Sequence, residues 1–127
     1  MSKYLVLIYE SETASGEEID PELRAEYDKH WTFIAKRKDS IVAGEALQPT
    51  SVATSLRRNG RGTYAVTDGP FVETKEALGG FYLLEADDLD AAIELAREIP
   101  APRGGLEIRP VIVFDRDVES DGTGSSG

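Results

Sequence analysis

The chain has 127 residues and no cysteine, with 14 Lys and Arg set against 24 Asp and Glu, a formal charge of −10. That length suits one domain, and the missing thiols exclude disulfides, thiolate nucleophiles and cysteine-ligated metals. A field of this sign repels phosphate backbones and anionic lipids, so no nucleic acid and no membrane is an expected partner.

Lys3 to Tyr9, KYLVLIY, is apolar on both alternating faces: Leu5, Leu7 and Tyr9 on one, Tyr4, Val6 and Ile8 on the other. That pattern predicts a strand covered on both sides. The polar ESETASGEEID follows as a loop. Asp20-Pro21 opens a helix, with Asp as N-cap and Pro in the first turn. Leu23, Tyr27, Trp31 and Ile34 give it an apolar stripe to about Lys38. SIVAGEALQ reads as a second strand. SVATSLRR-NG-RGTYAVT reads as a hairpin, Asn59-Gly60 suiting a type I′ turn. Its tip holds the basic cluster Arg57, Arg58 and Arg61.

GGFYLLEA is the next strand. Asp87 is expected to cap a second helix, with Asp90 completing a short capping box and Leu89, Ala92, Ile93 and Ala96 on the buried face. Pro100 stops it. LEIRPVIVF is the last strand, and Pro110 places it at an edge or a bulge. The tail DRDVESDGTGSSG cannot repay its ordering entropy. The expected organisation is one domain over 1–115 and a disordered tail over 116–127. No stretch reaches the roughly 18 apolar residues of a membrane span. A chain without cysteine suits the cytoplasm.

This order predicts the α+β class, a ferredoxin-like β-α-β-β-α-β sandwich with an antiparallel sheet and both helices on one face. The first strand is apolar on both faces, and Val111 and Val113 oppose the main apolar face of the last. The second sheet face therefore needs a cover. Either a second copy stacks on it, giving a homodimer through the sheet face, or the hairpin folds over it within one chain.

Some residues carry chemistry beyond the frame. Asp68-Gly69-Pro70 is a turn signal, yet the N–H that such an Asp usually binds belongs to Pro70, which has none. Asp68 is left to cap Phe71 or Glu73, or to serve a site. His30 is the single histidine, so a three-histidine metal site is impossible, and no Walker, dinucleotide or EF-hand pattern occurs. Neither a cofactor nor a metal is expected. His30 falls inside the apolar stripe, between Leu23 and Tyr27, and needs a polar partner there. That partner is a backbone carbonyl at the core edge or a carboxylate.

Glu73, Lys75 and Glu76 form a solvated turn or touch a ligand. Gly79 and Gly80 permit close backbone approach or a bulge. Arg109 shares a strand face with Glu107, Val111 and Val113. It reads as half of an ion pair, with Glu45 as partner, or as an anion binder. Trp31, at the edge of the stripe, is core or a ligand platform. Ser11, Thr13 and Ser15 have no local base.

VTDGPFVETKEALGGFYLLEADDLDAAIELAREIP, followed by GLEIRPV, resembles the DGPF-domain proteins of the YCII-related family. WTFI, GEALQP and ATSLR upstream fit the same pattern, so the resemblance runs from Lys3 to Val113. It implies the dimeric α+β barrel form of the fold, in a superfamily that includes muconolactone isomerase, with a site between sheet and helix. It also implies a dyad of a helix histidine with an aspartate. His30 resembles that histidine, and Asp68 is the first choice for the acid. Trp31, Gly69, Phe71, Glu73, Lys75, Glu76 and Arg109 would then contact an unknown small-molecule ligand. The implied activity is cofactor-independent proton transfer of an isomerase or lyase kind. The alternative is a non-catalytic binding or regulatory dimer, which the family's association with sigma-factor genes favours.

Overall fold

A computed structural model describes residues 1–12 and 21–114. The expected Asp20 cap, the loop over 13–20 and the acidic tail lie outside the described residues. The elements run β1 (Ser2–Ser11), α1 (Pro21–Lys36), β2 (Ile41–Ala46), a short 3-10 turn (Thr50–Val52), β3 (Thr54–Arg58), β4 (Tyr64–Asp68), β5 (Glu76–Ala86), α2 (Leu89–Ala96) and β6 (Gly104–Pro110). Four strands form one antiparallel sheet in the order β2-β5-β1-β6, and β3 and β4 pair apart from it. Setting the hairpin aside, this is the ferredoxin-like β-α-β-β-α-β order, as expected.

Strand alternation decides which face is core. Tyr4, Val6 and Ile8 of β1 lie across from Leu84, Tyr82 and Gly80 of β5. Phe33 of α1, Ala96 of α2 and Ile99 close over Val6, Ile8, Tyr82 and Leu84. Tyr4, Ala86 and Ala92 form a second, smaller cluster beside it. The opposite face carries Leu5 and Leu7 beside Leu83 and Phe81. These are only half-buried, and no described element covers them. The hairpin does not: β4 is exposed along its length, with Val66 at 65%.

β6 is an edge strand and ends at Pro110, where the missing N–H costs no ladder bond. Beyond it, Ile112 and Phe114 are exposed.

Three local expectations are corrected. The second helix is capped by Asp88, not Asp87: its carboxylate accepts from the Ala91 N–H at 2.9 Å. Asp88 stands three residues before that donor, the span a capping side chain bridges. Leu89 faces out rather than in.

The hairpin tip is not a two-residue type I′ turn. The ladder closes at Arg58–Tyr64, and the positive φ angles fall on Gly60 and Gly62, both 86°. Asn59 instead accepts from the Arg61 N–H with its side chain, at 3.0 Å, and donates to Thr63 Oγ1. With two glycines available, the bend spreads over 59–63.

On α1 the buried residues are Glu26 and Phe33. Trp31 is 67% exposed, which leaves it out of the core and at the cavity rim. The stripe of Tyr27, Trp31 and Ile34 borders a cavity instead of filling one.

Leu84 is fully buried between both helices and the sheet. Leu84→Ala should lower unfolding free energy by about 2–5 kcal/mol, read from urea titration. Val66→Ala, on the exposed hairpin, should change it by less than about 0.5 kcal/mol when the chains are held dilute.

Candidate functional site

A cavity of about 490 Å3 opens between α1 and the sheet, over β1, β2 and β5. Such a volume accommodates a small molecule. Its polar side chains are Glu10 from β1, Glu26 and His30 from α1 and Tyr82 from β5, while Glu45 of β2, paired with Phe81, borders it through its backbone. Each position follows from a local period. Glu10 continues the buried face of Tyr4, Val6 and Ile8 by twos. Glu26 and His30 stand four apart on one helix face.

Glycines make the space. Gly44 lies across from Tyr82 on the neighbouring strand. A Cβ at 44 would stand 2.6 Å from the tyrosine ring. A Cβ at Gly79 would stand 2.7 Å from the Glu10 carboxyl, and one at Gly80 would stand 2.8 Å from the Glu45 carbonyl. Both readings of the double glycine hold. The β1–β5 register slips between Ile8 and Tyr9, so Gly79 is the extra residue of a bulge. It is also where a polar side chain presses on the strand.

His30 Nδ1 and Tyr82 Oη hydrogen-bond at 2.8 Å, and the two rings stack with centroids 5.9 Å apart. Burial pushes the imidazole below its ordinary 6.5; the Glu26 charge and the Pro100 carbonyl pull the other way and do not win. The ring is therefore a neutral base near pH 7. Burial also pushes the Tyr82 hydroxyl up to about 12, so it keeps its proton.

Glu10 and Glu26 lie within hydrogen-bonding reach of each other. Burial, then the Glu26 charge, raises Glu10 above its ordinary 4.5, and Arg103 only partly offsets this. Arg103 Nη1 stands 3.1 Å from Glu26 Oε1, close enough for an ion pair. It is not aligned for a hydrogen bond, since Glu26 Oε1 has none; neither do Glu10 Oε1 and Arg103 Nε. A carboxyl held above its ordinary range and an imidazole held below its own thus face the same cavity.

Of the site residues expected from sequence, His30 and Trp31 border this cavity. The structure does not bring Asp68 to His30 within one chain. Asp68 pairs with Thr54 at the end of the exposed hairpin and has no contact with the imidazole. Its turn depends on the adjacent Gly69, at φ 100°. The Gly69 N–H donates to the Ala53 carbonyl, and its own carbonyl accepts from Ser55 Oγ. Phe71 lies under the Arg57 guanidinium at 3.8 Å. Glu73, Lys75 and Glu76 are exposed. Arg109 sits on the open sheet face and pairs with Glu107, two residues along its own strand, at 2.6 Å. Glu45, its expected partner, stands on the opposite edge strand, so Glu107 is the acid within reach.

Sequence reasoning missed Glu10, Glu26, Tyr82 and Arg103. The first three were open to the period arguments above. Arg103 lies in a loop, with no periodicity to betray it.

The fold and cleft define a ferredoxin-like α+β protein with a polar cavity beneath its first helix. The YCII-related domain matches residues 2–115, and the chain belongs to that family. A similar protein is an uncharacterised protein of Rhizobium meliloti (strain 1021). It is 36% identical over 118 residues, which cover 87% of this chain and 93% of that one.

Gly44→Ala should cost about 1–3 kcal/mol of stability, because the Tyr82 ring must shift. The single histidine makes its NMR titration unambiguous. The wild-type midpoint should lie below 6.5. Glu26→Gln should lower it further, Tyr82→Phe should move it, and Asp68→Asn should leave it alone.

Stability against pH follows from the two shifts. His30, lowered, contributes fully above its unfolded midpoint, and that contribution is lost as pH falls from 6.5 towards the folded one. Glu10, raised, does the reverse, destabilising the fold as pH climbs from 4.5 through its folded midpoint. Glu10→Gln should therefore raise the melting temperature at pH 8, with the difference closing below about pH 4.

Proposed function

We propose that the chain is a cofactor-independent enzyme that moves a proton on a small molecule held between α1 and the sheet. The observation that carries this reading is the pairing across one cavity of His30, whose charged form burial disfavours, with Glu10, whose protonated form burial favours. A base and an acid facing one ligand are what an isomerisation needs: one takes a proton from carbon or oxygen, the other returns one. Tyr82, bonded to the imidazole and protonated far above neutrality, extends the path by one hydroxyl. His30 and Asp68 make no contact within a chain, so Asp68 enters the mechanism only if a second copy delivers it.

The protein acts, in this proposal, as a homodimer in the cytoplasm. The support for the dimer is the uncovered strip of Leu5, Leu7, Phe81 and Leu83, which the hairpin leaves open. Only another copy would bring Arg109 to Glu45, since the two occupy opposite edges of one sheet. Analytical ultracentrifugation should give the mass of two chains, and Leu7→Glu should give one.

One observation favours a second reading, a non-catalytic binding module. The imidazole is held by Tyr82 and faces the Pro100 carbonyl, so its nitrogens are occupied at rest. Sigma-factor-linked regulation would belong to this reading; no described residue bears on it.

A thermal-shift screen of metabolites should find ligands that stabilise the fold. Those ligands are then followed by proton NMR in heavy water. An enzyme should exchange a ligand proton, and His30→Ala should slow that exchange by about 100- to 10,000-fold. Ligands that bind tightly yet never exchange, with or without His30, would leave the binding module.

A further inference from the structure

We propose that the β3–β4 hairpin is an arm exchanged between two copies of the chain, its apolar face lying on the open sheet face of the partner. This rests on the dimer reading and names the segment that makes the contact.

The hairpin has a sided pattern. Leu56 pairs with Val66 and Arg58 with Tyr64, so these four share one face. Ser55 with Thr67 and Arg57 with Ala65 make the other, which carries no large apolar side chain. Such alternation belongs to strands with one face covered. Here that face is bare: Leu56 and Tyr64 are each 53% exposed and Val66 65%. β3 and β4 join no other strand. A two-stranded ribbon alone is marginal in water and needs a surface to pack on.

The chain holds a second bare apolar surface. On the open sheet face Leu5 stands beside Leu83 and Leu7 beside Phe81. The two surfaces do not meet within one chain, since the hairpin is exposed along β4. Exchange between two copies covers both at once, and two-fold symmetry makes the contact twice.

Charge selects the same occupant. Residues 54–67 hold Arg57, Arg58 and Arg61 and no acid, in a chain of formal charge −10. The sheet strip is edged by acids: Glu45 stands across from Phe81, and Glu107 across from Leu7. Glu107 has Arg109, whereas Glu45 is exposed and pairs with no base among the described residues. Arg58 shares the docking face, its guanidinium 5.3 Å from the Tyr64 ring, and is the base that the arm would bring to Glu45. A basic arm on an acid-edged strip favours this pairing over unrelated partners.

Sedimentation of the full chain gives the first test. The wild type should have the mass of two chains. Val66→Glu should weaken the dimer about 100-fold or more, because its charge is forced against leucines. Thr67→Glu, on the other face of the same hairpin, should leave the dimer whole. Residue 66 is exposed in the single chain, so an unchanged His30 resonance should show the fold intact. The second test uses the absence of cysteine. Leu7→Cys chains mixed with Val66→Cys chains should be joined by a short bismaleimide, and Leu7→Cys chains alone should not. A dimer that survives Val66→Glu, unlike chains that fail to join, or Leu7→Cys chains that join each other overturn the exchange and leave the dimer standing. Joining of the two positions within one dilute chain carrying both substitutions also overturns it. A wild type with the mass of one chain removes the dimer reading and the exchange together.

Discussion

The tyrosine at 82 occupies the volume that any side chain at residue 44 would need. Gly44 and Tyr82 are cross-strand partners, and the absent Cβ lets the ring lie over β2 rather than stand away from it. From there the hydroxyl reaches His30, and the ring edge meets Phe33 at 5.1 Å between centroids. Core and cleft thus share one residue. Its body packs with Val6 and Leu84, and its oxygen ends in the cavity. Remove the vacancy at 44, and both the packing and the orientation of the imidazole have to change together.

The acids beside it are a different kind of commitment. Burying a carboxyl costs several kcal/mol unless it is paired or protonated. Here one acid has an arginine beside it and the other holds its proton more tightly than an ordinary glutamate. A folding sequence indifferent to ligands would do better with hydrocarbon at position 10, since Tyr4, Val6 and Ile8 already set that face. The polar residue at its end is a local conflict with the fold, and such conflicts concentrate where function requires them.

Much of the frame was legible in the order of residues. Period-two patterning in KYLVLIY assigned both sheet faces, and the β-α-β-β-α-β order fixed the topology. What escaped was geometry set by tertiary approach. Asp87 and Asp88 are equivalent in composition, and only the helix entry chooses between them. An Asn-Gly pair looks like a two-residue turn until a second glycine two positions on offers a wider bend. In the site, His30 was found because a lone histidine is conspicuous. Its neighbours were overlooked because glutamate is common in an acidic chain. Asp68 drew attention through a peculiarity of its turn, and the glycine next to it explains that turn.

The extra residue at Gly79 sets the chemistry of the cleft by counting. With it, Ala77 stands across from Glu10, and Leu78 falls opposite Tyr9 on the open face. In a regular register, with Gly79 paired to Tyr9 and no slip, Leu78 would stand beside Glu10 and roof the acids with hydrocarbon. The spacing between the leucine and the paired glycines is therefore a phase setting, one that keeps the cavity wet on its acidic side and greasy on the other side of the sheet. Straightening the bulge into regular pairing would invert that polarity without altering a single side chain in the site.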